Sequence, residues 1–138
     1  MAGLQAVGRL EEGFRVRVQT GGHEYVLDEA TDKGGSGEGA TPGEVLLAAL
    51  TGCQAMVARL YLRKVRLEPR SVVVTAEVVD SASAPMGRFS PEFNVVMEVD
   101  SDLSDEQMAE LSDLVHEKCA VGAIIREKNP IRFTVRRA

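Results

Sequence analysis

Residues 45–58 constrain the fold most, because they read as a helix with almost no polar face. Val45, Leu46, Leu47, Ala48, Ala49 and Leu50 lead into Thr51, Gly52, Cys53 and Gln54, and Ala55, Met56, Val57 and Ala58 follow. A helix on a protein surface carries a single apolar stripe, so one that is apolar nearly all round must be covered on most sides. Thr41-Pro42-Gly43-Glu44 forms its entry, with Thr41 as N-cap, Pro42 at the first helical position and Glu44 completing a capping box. Polar character returns at Arg59, where the helix should emerge into solvent. Thr51, Gly52, Gln54 and Arg59 make the stretch too polar for a membrane span.

The elements around this helix give a mixed α+β domain of order β-β-β-α-β-β-α-β over residues 1–138. Residues 4–10, 14–19 and 23–28 read as a meander of three strands, with turns at Glu11-Glu12-Gly13 and Thr20-Gly21-Gly22. Residues 33–39 contain four glycines and no apolar side chain, which reads as a mobile loop. No Gly-Lys-Ser/Thr follows those glycines, so they are not a phosphate-binding loop. Residues 72–79 and 93–99 are a strand pair around a loop holding Pro85, Gly87 and Pro91. A second helix opens on the acidic cluster Asp102, Asp105 and Glu106, which suits its dipole, and carries Met108, Leu111, Leu114 and Val115 on one face. Residues 131–135 read as a last strand after Asn129-Pro130.

Composition narrows the functional classes. A net charge of −5 and a pI near 5.1 exclude an extended nucleic-acid surface, which needs a basic face. The basic run at Arg59, Arg63, Lys64, Arg66 and Arg70 encloses Glu68 and reads as a solvated helix end. The first residues have no basic segment followed by an apolar one, so a cytoplasmic location is expected. Thiols stay reduced there, so the two cysteines, Cys53 and Cys119, are inert core residues, metal ligands or redox groups.

Cys53 lies in the apolar helix between Gly52 and Gln54. A free cysteine in such a place is often a small core residue. Gly52 argues otherwise, because glycine inside a helix costs about 1 kcal/mol against alanine and usually answers a close approach by backbone or ligand. Cys119, in His116-Glu117-Lys118-Cys119-Ala120-Val121-Gly122, falls at the end of the second helix, where the dipole does not favour a thiolate. It suits a resolving role. A metal site using Cys53, Cys119, His23 and His116 is the weaker alternative, since no CxxC or HxxxH spacing supports it.

The run from Thr41-Pro42-Gly43-Glu44 through the apolar helix to Cys53 resembles the central-helix motif of the OsmC/Ohr superfamily. Cys119-Ala120-Val121 is similar to the family's second cysteine segment, and the order of elements matches over nearly the whole chain. The resemblance implies an intertwined homodimer with two sites at the subunit interface. It also implies thiol peroxidase chemistry on an organic hydroperoxide, with Cys53 attacking and Cys119 resolving. A dithiol, such as a lipoyl group on a protein, would regenerate the pair, and no cofactor or metal is called for.

The family's peroxidases orient the attacking cysteine with a hairpin arginine and a glutamate just after the helix-opening proline. Here Gly43 takes the glutamate position and Glu44 follows it, while Glu11 or Glu12 takes that of the arginine. Glu44 and Arg15 are the replacements expected from sequence, with Arg9 and Arg17 as further candidates. Ala120 stands where the family has proline. These departures leave open a second reading, a redox-sensing or small-molecule-binding protein of the same fold without efficient turnover.

Overall fold

A computed structural model of the chain describes residues 3–80 and 91–138. It divides into two compact units, residues 1–48 and 49–138, with one long helix running from the first into the second. The first unit is built on an antiparallel meander of β1 (Ala6–Leu10), β2 (Val16–Thr20) and β3 (His23–Leu27), in that order. Val16 pairs with both Leu10 and Leu27, and Val18 is the buried residue of the central strand. Gly21 and Gly22 both adopt positive φ in the turn between β2 and β3, as a two-residue hairpin requires.

The glycine segment is pinned rather than mobile, which corrects the expectation from sequence. Its anchor is the buried Asp28 carboxylate, which accepts from Ser36 Oγ at 2.5 Å, Glu29 N at 2.7 Å and Glu38 N at 3.1 Å. These bonds hold the carboxyl below its ordinary value, the Ser36 hydroxyl most of all and against the opposing effect of burial. A short 3-10 turn, Thr31–Lys33, precedes Gly34, whose φ of +92° is left-handed. Gly39 passes so close to β3 that a Cβ there would collide with Val26 O and lie 2.8 Å from the Val26 carbonyl carbon. Of the glycines that read as freedom in the sequence, Gly35 and Gly39 are needed for close backbone approach, and Gly34 and Gly37 for a positive φ.

Helix α1 spans Pro42–Lys64. Half of the expected capping box is present: Glu44 N donates to Thr41 Oγ1 at 3.3 Å. The helix closes with Arg66 at φ +59° and Leu67 N donating to Leu62 O at 2.9 Å, the wrap of a Schellman end. By length and composition α1 also qualifies as a membrane span, so its polar residues do not exclude one as the sequence reading held. Its packing decides its role in the second unit, where Ala58, Tyr61 and Leu62 are buried.

That unit adds the hairpin β4 (Ser71–Asp80) and β5 (Pro91–Asp100), then α2 (Asp105–Lys118) and α3 (Ala120–Arg126). Period-two alternation turns Val72, Val74 and Ala76 inward, paired across the hairpin with Val99, Met97 and Val95. Ser104 caps α2 in a complete capping box with Gln107. The core joins Ala58, Tyr61 and Leu111, flanked by Val72, Met97, Val99, Leu114 and Val115. Tyr61 Oη donates to Glu110 Oε2 at 2.7 Å, tying α1 to α2. Two members of the basic run are paired, Arg59 with Glu68 and Arg70 with Asp100 and Asp102.

Pro85 and Gly87, in the expected loop, lie outside the described residues, and Pro91 begins β5 instead of preceding it. The last strand also differs. Residues 131–135 pair with no strand among the described residues, and Ile131, Phe133 and Val135 are 80–90% exposed. The burial expected all round α1 is incomplete within one chain, since Met56 is 72% and Leu60 63% exposed. A Cβ at Gly52 would meet nothing within 4 Å, so no approach within this chain accounts for that glycine.

Candidate active site

The second unit brings the two cysteines together. Cys53 is half-buried in the interior of α1, Cys119 is buried, and the Cys53 thiol is near enough to act on the ionisation of Cys119. Cys119 stands at a corner that the sequence reading did not resolve. It ends α2, its N–H donating to Val115 O at 3.0 Å, and it is also the N-cap of α3. Its φ of −73° and ψ of 98° break the helix, and Sγ accepts from Gly122 N at 3.3 Å. The sequence placed this thiol only at a helix C-terminus. The structure corrects this, because a helix also begins at Cys119 and points a backbone donor at the sulfur.

Opposing influences act on the Cys119 thiol. Burial raises its pKa above the ordinary value and is the largest of them; the Gly122 N–H opposes it, Cys53 adds to the rise, and Arg126 opposes it again. The net direction is upward, so the reduced Cys119 holds its proton more firmly than a free thiol. That fits a thiol which waits for a partner to be oxidised better than one that attacks first.

The same unit opens a cleft of about 380 Å³. Val95, Met97 and Val99 of β5 form one wall, and Met108, Leu111 and Val115, spaced on one face of α2, form another. Its polar groups are Gln54, next to Cys53, together with Ser112, His116 and Arg126. A cleft with apolar walls and four polar side chains can take a small substrate that has both an alkyl and a polar part.

The remaining candidates are held by their own local contacts or stand exposed. Arg15, on the hairpin of the first unit, is paired with Glu38 and with Glu11 Oε1 at 3.0 Å. Glu11 also pairs with Arg17, which reaches Glu24 at 2.8 Å, and Arg9 donates to Gln19 at 2.7 Å. The hairpin arginines are therefore joined to carboxylates or an amide, with Glu11 as the central acceptor. Glu44 sits exposed in the first turn of α1. His23 is exposed at the start of β3. Lys118 pairs with Glu117, and His116 offers its carbonyl to Arg126 Nη2 at 3.1 Å. Among the described residues no three His, Cys, Asp or Glu side chains gather as a metal would require.

The group that the sequence reading missed is Arg126. Gly122 and Arg126 follow Cys119 by three and seven residues, a spacing that puts all three on one helix face. The signal was present but unread, because residues 120–126 were not assigned to a helix.

Comparison with known proteins settles the family. The OsmC-like protein family matches residues 35–136, which reach into both units and include both cysteines. The chain belongs to that family. Solved structures agree on the OsmC fold. An OsmC-like protein from Mycoplasma pneumoniae superposes with a TM-score of 0.77 at 19% identity, over 89% of this chain and 86% of that one. An organic hydroperoxide resistance protein from Elizabethkingia anophelis gives 0.71 at 17% identity, covering 91% and 89%. One from Legionella pneumophila, also described as a predicted redox protein, gives 0.64 at 21% identity, covering 91% and 92%. No curated protein matches the sequence.

Proposed function

We propose that this OsmC-like protein is a thiol peroxidase that reduces organic hydroperoxides to alcohols in the cytoplasm, as part of defence against oxidative stress. The observation that carries the reading is the nearness of Cys53 to Cys119 in the unit that also holds a cleft with apolar walls. Cys53, the less buried, attacks the distal peroxide oxygen; the O–O bond breaks, and the departing alkoxide takes up a proton to leave as alcohol. Cys53 is left as sulfenic acid. The Cys119 thiolate then displaces hydroxide, which leaves as water, and a disulfide forms. A small dithiol or a lipoylated protein reduces it by thiol–disulfide exchange. The names of the hydroperoxide resistance proteins that share the fold lend support.

The same reading takes the active form to be a homodimer. Gly52, Met56 and Leu60 fall four residues apart on one side of α1, with Met56 and Leu60 exposed, and a small residue in such a stripe lets two helices approach closely. Ile131, Phe133 and Val135 alternate with Arg132, Thr134 and Arg136, a strand pattern that joins no sheet among the described residues. A second copy is the partner that serves both features. Arg15 and Glu44 are proposed as the groups that help to activate Cys53.

The test is a coupled assay with cumene or tert-butyl hydroperoxide and a dithiol. Turnover is expected for the native protein and none for Cys53→Ser. Cys119→Ser should stop after one equivalent, with sulfenic acid accumulating. Undiminished turnover in Cys53→Ser would refute the mechanism. The second reading, a redox sensor or small-molecule binder, is favoured by Gly43 at the family's glutamate position and by the two carboxylates on Arg15. It predicts stoichiometric oxidation without turnover.

A further inference from the structure

Resolution requires Cys119 to lose its proton, yet burial and the neighbouring Cys53 both oppose that loss. Something in the fold must favour the thiolate when it is needed. Three elements meet at the sulfur: α1 brings Cys53, the end of α2 brings the backbone that carries Cys119, and α3 brings the Gly122 N–H and Arg126.

Arg126 differs from most arginines described above. Arg15, Arg17, Arg59 and Arg70 are each joined to carboxylates, whereas Arg126 has no carboxylate partner among the described residues. Its Nη2 donates instead to the His116 carbonyl at 3.1 Å, across the corner from α3 to the last turn of α2. That bond folds the side chain back over Gly122. The fold-back is close, since a Cβ at Gly122 would lie 3.3 Å from Arg126 Nη1 and 3.3 Å from Cys119 Sγ. The lack of a side chain at Gly122 keeps the space between guanidinium and sulfur open.

We propose that Arg126 is a positioning residue for the resolving step, its guanidinium supporting Cys119 as the thiolate that attacks oxidised Cys53. The proposal rests on the peroxidase reading for the step itself, and on geometry alone for the pairing of Arg126 with Cys119. His116 is the second ionisable side chain at the mouth of the cleft, and it enters the pairing through its main-chain oxygen. Arg126 is exposed, so solvent screens its charge and an effect of about one pKa unit is expected. One unit lowers the thiolate fraction about tenfold while raising its nucleophilicity about threefold, so disulfide formation should slow about threefold to fourfold.

Two measurements test it. The first needs no peroxide: the ultraviolet thiolate absorbance of Cys119 is titrated in Cys53→Ser, with and without Arg126→Gln. The midpoint should rise by about one unit with Arg126→Gln and be partly restored by Arg126→Lys. The second follows a single turnover with hydroperoxide, recording the appearance and decay of Cys53 sulfenic acid. Arg126→Gln should slow the decay at every hydroperoxide concentration, because the resolving step follows the reaction of the peroxide. An unmoved midpoint, or an unchanged decay, overturns the proposal. A raised midpoint in a protein inert to hydroperoxide supports the role of Arg126 and refutes the peroxidase reading, so the two failures are distinguishable.

Discussion

Gly122→Ala should separate the stability of the second unit from its chemistry. Gly122 is the third residue of α3, its N–H bonds Cys119 Sγ, and its φ is not in the left-handed region, so alanine meets no backbone strain. Alanine is the better helix former by up to about 1 kcal/mol, with less expected in a first turn. Against this, the new methyl would stand 3.3 Å from Cys119 Sγ and 3.3 Å from Arg126 Nη1, and 3.6 Å from Cys119 Cβ. Those gaps fall short of comfortable contact by only a few tenths of an ångström. Arg126 Nη1 is the far end of a flexible side chain and can swing away, whereas Cys119 is fully buried and held at a corner. The variant should therefore unfold in denaturant within about 1 kcal/mol of the native protein, on either side. Its disulfide should form more slowly after one equivalent of hydroperoxide, because the displaced guanidinium no longer serves the thiol. A loss above about 3 kcal/mol would mean that the packing at Gly122 is rigid and the reasoning wrong. Unchanged stability with an unchanged rate would show that the guanidinium's place over Gly122 does not matter.

Three further outcomes follow from the geometry. Gly39→Ala should destabilise the first unit by about 2 kcal/mol or more, read by urea denaturation, because Val26 must move and the Asp28 N to Ala40 O bond is strained. The depressed Asp28 carboxyl contributes stability above its unfolded value near 3.8, lost as pH falls through its lower folded value. Amide exchange at Glu38 should accelerate over that acid range, and Asp28→Asn should abolish the pH dependence. Burial and the Glu110 bond push the Tyr61 phenol up to about 12, so its contribution is intact below an unfolded value near 10. That contribution disappears as pH rises through 12, and alkaline melting curves of Tyr61→Phe should lack the corresponding loss.

Much of the fold was legible because its signals are local. Period-two patterns gave both hairpins, and the apolar run with its Thr-Pro entry gave α1. The errors share one cause, which is that a sequence does not state distances between segments. The glycines of residues 33–39 looked like slack until Asp28, Glu29 and Val26 were seen against them. Residues 131–135 have the alternation of a strand, but alternation does not supply a neighbour. At the site, Cys53 and Cys119 were found from family motifs, while Arg126 lay hidden behind the break at Cys119. His116 and Lys118 are nearer in sequence, yet Arg126, seven residues on, is the cation whose charge acts on the Cys119 thiol.

The meeting of α1 with the α2–α3 corner at two sulfurs has a mechanical consequence. A Cys53–Cys119 bond would close a ring of roughly 65 residues around the β4–β5 hairpin and α2. Tying off a ring of that length removes unfolded-chain entropy equivalent to about 4 kcal/mol. Oxidation would thus act as a reversible staple on the second unit, tightening it when the bond forms and releasing it on reduction. The melting temperature, compared with and without reductant, reads that staple directly.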